Sequence, residues 1–157
     1  MTAPTNPFQN RRWFNQSQPR WLQYATWLLY WSAFWGLITV LDTGAILPGS
    51  SGGIRGLLLW AFLIAQIPLA VFGASEMAMY HKRGYAMALI AAFIPAASRL
   101  VFLIGQESVN LLEVVRWTIF PVDGSFRSLI SFAFEAGLIV CLLHPVSRRY
   151  AKVWINE

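Results

Sequence analysis

The chain has 157 residues, 57% of them hydrophobic and only 12% charged, and its mean hydropathy is +0.50. A soluble domain of this size carries roughly 25% charged residues, so the composition speaks against a soluble domain and for one embedded in a lipid bilayer. Twelve Lys and Arg against seven Asp and Glu give a net charge of +5, while one Cys and two His leave no internal disulfide and no ligand set for a zinc or iron–sulfur site.

The arm over 1–20 is rich in Asn, Gln, Pro and Ser and holds Arg11, Arg12 and Arg20. It is expected to be irregular, with Trp13 and Phe14 at a membrane interface. Four stretches of low charge follow: 21–41 and 56–75 carry none, 84–106 carries only Arg99, and 128–147 carries only Glu135. About 20 predominantly apolar residues cross a bilayer, and none of the four shows the polar stripe of a soluble amphipathic helix. The expected fold is therefore an all-α membrane protein with four transmembrane helices over about 22–41, 56–79, 85–104 and 127–144. Residues 21–147 form the bundle. The first stretch, longer than a signal h-region and preceded by a polar lead, is expected to stay in place.

The turn over 42–55 contains Pro48, Gly49, Gly52 and Gly53, whereas the turn at His81, Lys82, Arg83 and Gly84 is short and makes spans two and three a hairpin. Over 107–120, Val109, Leu111, Leu112, Val115 and Ile119 alternate with a polar face of Glu107, Asn110 and Glu113. That segment is too short and too charged to span, and is expected to lie as an amphipathic helix in the outer interface. His144-Pro145 ends the last span, because the residue before Pro is pushed out of helical geometry. The basic tail over 148–157 then mixes Arg148, Arg149 and Lys152 with Tyr150 and Trp154.

Lys and Arg near span ends mark the cytoplasmic side. The arm, the short turn and the tail together hold eight, and the opposite side holds Arg55, Arg116 and Arg127. Both termini are thus expected in the cytoplasm. The positive charge is accounted for as a topology signal, which leaves no reason to expect nucleic acid as a partner. Expected interface anchors are Trp13, Tyr24, Trp27, Tyr150 and Trp154.

The opening Asn10-Arg11-Arg12-Trp13-Phe14-Asn15-Gln16-Ser17-Gln18-Pro19 and the closing Leu142-Leu143-His144-Pro145-Val146-Ser147-Arg148-Arg149-Tyr150 with Trp154 resemble a group of small, uncharacterised integral membrane proteins of actinobacteria. The tail departs from that group at Arg149, where an acidic or polar residue is usual. The resemblance implies a bacterial plasma membrane and brings no activity, cofactor or catalytic residue with it.

Few residues point to chemistry. Charges inside a bilayer cost about 2.5–3.5 kcal/mol each on insertion scales, so Arg99 and Glu135 call for an account. They are expected to face the bundle interior and meet, directly or through a water or Gln66. Gln66, Pro68 and Pro95 lie at similar depth and would complete a polar pocket. The alternatives for the pair are a structural role in packing and a proton, ion or ligand site. Tyr24, Trp27, Trp31, Phe34 and Ile38, with Trp35 beside them, form an aromatic stripe for packing or lipid contact. Ala70, Ala74 and Ala78 on span two, and Ala88, Ala92 and Ala96 on span three, have the small-xxx-small spacing that lets helices approach closely. His81 and His144 end their spans on the same side, but one sits in a basic turn and the other before Pro. No haem or other cofactor is expected. With no nucleophile–base set, phosphate loop or metal spacing, the expected function is that of a non-enzymatic accessory or scaffold protein. It would bind another membrane protein, lipid or a copy of itself. The alternative is a small oligomeric ion-coupled transporter or ligand sensor using Glu135 and Arg99.

Overall fold

The computed structural model describes residues 13–42, 53–103 and 126–154. Those residues form five helices and no strand: α1 (Arg20–Asp42), α2 (Gly53–Ala78), α3 (Lys82–Leu103), α4 (Phe126–Leu143) and α5 (Pro145–Trp154). The segment 107–120 and the turn over 43–52 lie outside the described residues.

Three helices, α1, α2 and α3, are each long and apolar enough to cross a membrane. A fourth crossing is reached by taking α4 and α5 together, as a pair bent by 50°. The break falls at His144, as the His-Pro pair leads one to expect, but the chain beyond it winds into α5 and does not trail away as a tail. Pro145 explains the break. It has no N–H to donate to the Cys141 carbonyl one turn back. The Ser147 hydroxyl donates to that carbonyl instead, at 2.7 Å. The next carbonyl, Leu142, accepts from the Tyr85 hydroxyl of α3 at 2.7 Å. Val146 N–H turns to His144 Nδ1 at 3.3 Å, and α5 is under way once Arg148 N–H reaches the His144 carbonyl.

The helices pack in a ring in the order α1, α2, α3, α4, with α2 against α3 the most intimate pair and α3 against α4 the loosest of the four. The proximal end of the bundle is the one where α1 starts and α2 and α4 finish. The core fills the proximal half. Leu22, Ala25, Leu29 and Ala33 point inward from α1 and meet Ala70, Ala74 and Met77 of α2, Ala88, Ala91 and Ala92 of α3, and Leu138, Cys141 and Leu142 of α4. The small-xxx-small runs on α2 and α3 thus serve packing within the chain. The aromatic stripe of α1 faces the other way: Tyr24, Trp27, Trp31 and Phe34 are exposed.

At the proximal end α2 closes in a Schellman-type turn. Tyr80 N–H bonds to the Met77 carbonyl and His81 N–H to the Glu76 carbonyl, with Tyr80 at φ 66° in the left-handed position usually given to glycine. The arm, expected as an irregular lead, has turns over its described part but is firmly docked here. Asn15 Nδ2 donates to the Ala78 carbonyl at 3.0 Å and Gln18 Nε2 to the Met77 carbonyl at 2.6 Å, so the arm caps carbonyls of α2's last turn. Asn15 Oδ1 also accepts from the N–H and hydroxyl of Ser17, and the Ser17 hydroxyl is bonded to Tyr80.

Asn15→Ala removes three hydrogen bonds from a buried side chain and is expected to cost about 2 kcal/mol. Gln18→Ala removes one bond from a side chain whose buried Oε1 meets no donor among the described residues, and is expected to cost about 1 kcal/mol. Thermal unfolding in detergent, with the rate of trypsin cleavage after Arg20, measures both. Unchanged melting in the double variant would refute the capping role.

Candidate functional site

In the half of the bundle away from the arm, a cavity of about 520 Å³ opens between α1, α2, α3 and α4. Its long walls are apolar: Leu28, Leu59, Leu63, Pro95 and Leu138 contribute aliphatic surface. Trp31 and Trp35, one helical turn apart on α1, stack at 5.8 Å, and Phe134 of α4 leans on Trp31 at 5.7 Å. The aromatic stripe foreseen on α1 is therefore divided between two tasks. Tyr24, Trp27 and Phe34 look outward, while Trp31 and Trp35 also wall the cavity.

Polar groups are concentrated on two sides of this apolar chamber. Arg99 of α3 donates from Nη2 to Glu135 Oε2 of α4. Both side chains are largely covered, with 15% and 21% of their surface exposed. Glu135 accepts a second bond, from the Ser131 hydroxyl one turn earlier, at 3.2 Å. The Arg99 guanidinium also lies 5.7 Å from the ring centre of Phe132, within the range of a cation–π contact. Two helices that touch only lightly are thus tied at this depth by a charged bond.

Gln66 of α2 does not bridge the pair. Its Nε2 donates to the Ser32 hydroxyl of α1 at 2.8 Å, so the four helices are clamped as two couples, α1 with α2 and α3 with α4. Arg99, Glu135 and Gln66 all line the same cavity. Pro95 lines it too, and its carbonyl accepts from the Ser98 hydroxyl at 2.8 Å; Pro68 sits inside α2 and faces away.

Outside the cavity, the expected anchors are less separate than their sequence positions imply. The Trp13 carbonyl accepts from the Tyr30 hydroxyl at 2.8 Å, and Phe14 meets Trp27 at 5.9 Å, so the arm's aromatic pair fastens it along α1. Tyr24 is exposed, Tyr150 is half-buried against Tyr80, and Trp154 is the last residue of α5. The histidines have local partners: His81 Nδ1 lies 2.5 Å from Glu76 Oε2, and His144 stacks on Trp21 at 4.3 Å.

The residues missed from sequence are Ser131, Ser32, Trp31 and Trp35 as walls of one chamber. Ser131 and Glu135 are spaced as i and i+4 and so share a helix face, a signal that was available. The Ser32–Gln66 bond depends on the register of α1 against α2 and had none. A scan against protein-family models and searches of curated proteins and of solved structures find no match to the chain.

Proposed function

We propose that the protein is a non-enzymatic, four-span integral protein of a bacterial plasma membrane that acts by binding, as an accessory or scaffold protein holding a lipid or a segment of another membrane protein. The observation that carries this reading is the mostly apolar cavity of about 520 Å³ inside the bundle. Pockets of roughly 300–1,000 Å³, lined by apolar and aromatic groups with a few placed polar atoms, are the form taken by small-molecule sites. Native mass spectrometry of the protein released from mild detergent tests it. The expected spectrum shows one lipid-sized adduct per chain, lost in Leu63→Trp, which fills the cavity from α2. A chain that stays free of adducts and co-purifies with no stoichiometric partner would overturn the reading.

A second reading, a small oligomeric ion-coupled carrier or ligand sensor, is favoured by the placement of Arg99 and Glu135 in the wall of that cavity. It is distinguished by a homo-oligomer whose stability shifts with pH and loses the shift in Glu135→Gln.

Both readings place the two termini in the cytoplasm, supported by the eight-to-three basic asymmetry. A phosphatase reporter fused after Glu157 is expected to be inactive, and a cytoplasmic fluorescent reporter at the same position bright. The reverse pattern would refute the topology.

A further inference from the structure

We propose that the cavity takes an uncharged amphiphile whose polar end is one or more carbonyl oxygens, its apolar body lying against Trp31, Trp35 and Phe134 and its carbonyls accepting N–H groups of Arg99 and Gln66. This rests on the binding reading above and names the ligand chemistry.

Charge and hydrogen-bond supply point the same way. Among the described residues, the cavity wall holds one cation and one anion, and they are already bonded to each other. An anionic ligand would set a second negative charge beside the Glu135 carboxylate with one guanidinium to offset both, and a cationic ligand would set a second positive charge beside Arg99 with one carboxylate to offset both. A covered charge without its own counter-charge is strongly unfavourable, so a neutral ligand is the one admitted without unbalancing the pair. Donors are in surplus. Of the five N–H groups of a guanidinium, the bond to Glu135 uses one on Nη2, and the others meet no acceptor among the described residues. Gln66 has a second amide N–H beyond the one given to Ser32. Unused N–H groups in a largely apolar chamber call for acceptors without hydrogen of their own. Carbonyls of a quinone ring or of glycerol esters supply them, and the flat stacked indoles suit either an aromatic ring or acyl chains.

Intrinsic fluorescence provides the test, because two tryptophans wall the site. A decyl-substituted benzoquinone added to the full chain in maltoside micelles is expected to quench part of the emission saturably, above the linear collisional background of the micelle. Dioctanoylglycerol, an ester carbonyl source, is expected to reverse the saturable part, while decanoate and decane at equal mole fraction are not. Reversal by dioctanoylglycerol assigns the site to carbonyl lipids generally; reversal only by a second, non-quenching quinone analogue assigns it to quinones. Gln66→Leu is expected to weaken saturable quenching several-fold, and the double change Arg99→Leu with Glu135→Leu by about tenfold or more, as loss of a charge-assisted bond implies. Gln66→Leu leaves the ion pair in place, so it reports on the site even where the double variant unfolds. Quenching that stays linear overturns the proposal, and so does equal competition by decanoate. If a lipid adduct is seen by native mass spectrometry while quenching stays linear, the binding reading stands and the carbonyl assignment falls.

Discussion

Arg99→Leu and Glu135→Leu are each expected to lower the unfolding free energy by about 3–5 kcal/mol, and the double replacement by much less than the two together. Each single change strands a charge on a side chain that is about four-fifths covered or more, with its counter-charge gone. The double change removes both charges and leaves two leucines of similar volume facing an apolar chamber. The losses need not be equal. Glu135 retains Ser131 as a donor when Arg99 is gone, whereas Arg99 without Glu135 keeps, among the described residues, only the face of Phe132. Glu135→Leu is therefore expected to be the more damaging single change. Thermal or denaturant unfolding in one detergent measures the cycle. Simple addition of the two losses would mean that the residues do not support each other, and Glu135 would then stand as an independent proton or ligand site, to the gain of the carrier reading.

What the sequence discloses and what it hides follow from how far each signal reaches along the chain. Helices α1 to α3 were legible because a bilayer-length run without charge is a property of neighbouring residues. Pro145 broke the fourth crossing where the sequence places it, since the missing N–H is a local fact. The pairing of Arg99 with Glu135 was legible as well, because two isolated charges in apolar spans have few alternatives to each other. The cavity was not. It exists because α3 and α4 are the loosest neighbours while Ala70, Ala74, Ala88 and Ala92 draw α2 and α3 together, and only the three-dimensional register shows on which side of Trp31 the gap falls. The role of the arm was hidden for a similar reason. Asn15 and Gln18 look like members of a polar lead until Met77 and Ala78, about sixty residues away, present carbonyls for them to cap. Composition describes what a segment is made of; it is silent about which distant helix end needs its donors.

Gly84→Ala is expected to cost about 3 kcal/mol, although alanine is the better helix former and adds a single methyl group. A Cβ at Gly84 would stand within van der Waals overlap of the Met77 backbone nitrogen, 2.5 Å from the Glu76 carbonyl carbon and 2.8 Å from the Glu76 Cβ. These are chiefly atoms of α2's own backbone, held in place by the Schellman turn and by the arm, so no flexible side-chain end can move aside. Overpacking costs about 1–3 kcal/mol where neighbours can yield, and this site is at the upper end because they cannot. Gly73→Ala faces the same closely packed pair from the other helix, with a Cβ 2.8 Å from the Ala88 nitrogen, and is expected to be destabilising too. Gly137 supplies the contrast. Among the described residues its Cβ would meet nothing nearer than Leu28 Cδ1 at 3.9 Å, so Gly137→Ala carries only the propensity gain, up to about 1 kcal/mol in favour of the folded chain. Opposite signs at Gly84 and Gly137, read from unfolding in the same detergent, would locate the rigid contact of the protein in the α2–α3 hairpin. A neutral Gly84→Ala would mean that the hairpin opens to admit a methyl group, and that the close approach of α2 and α3 does not anchor the bundle around its cavity.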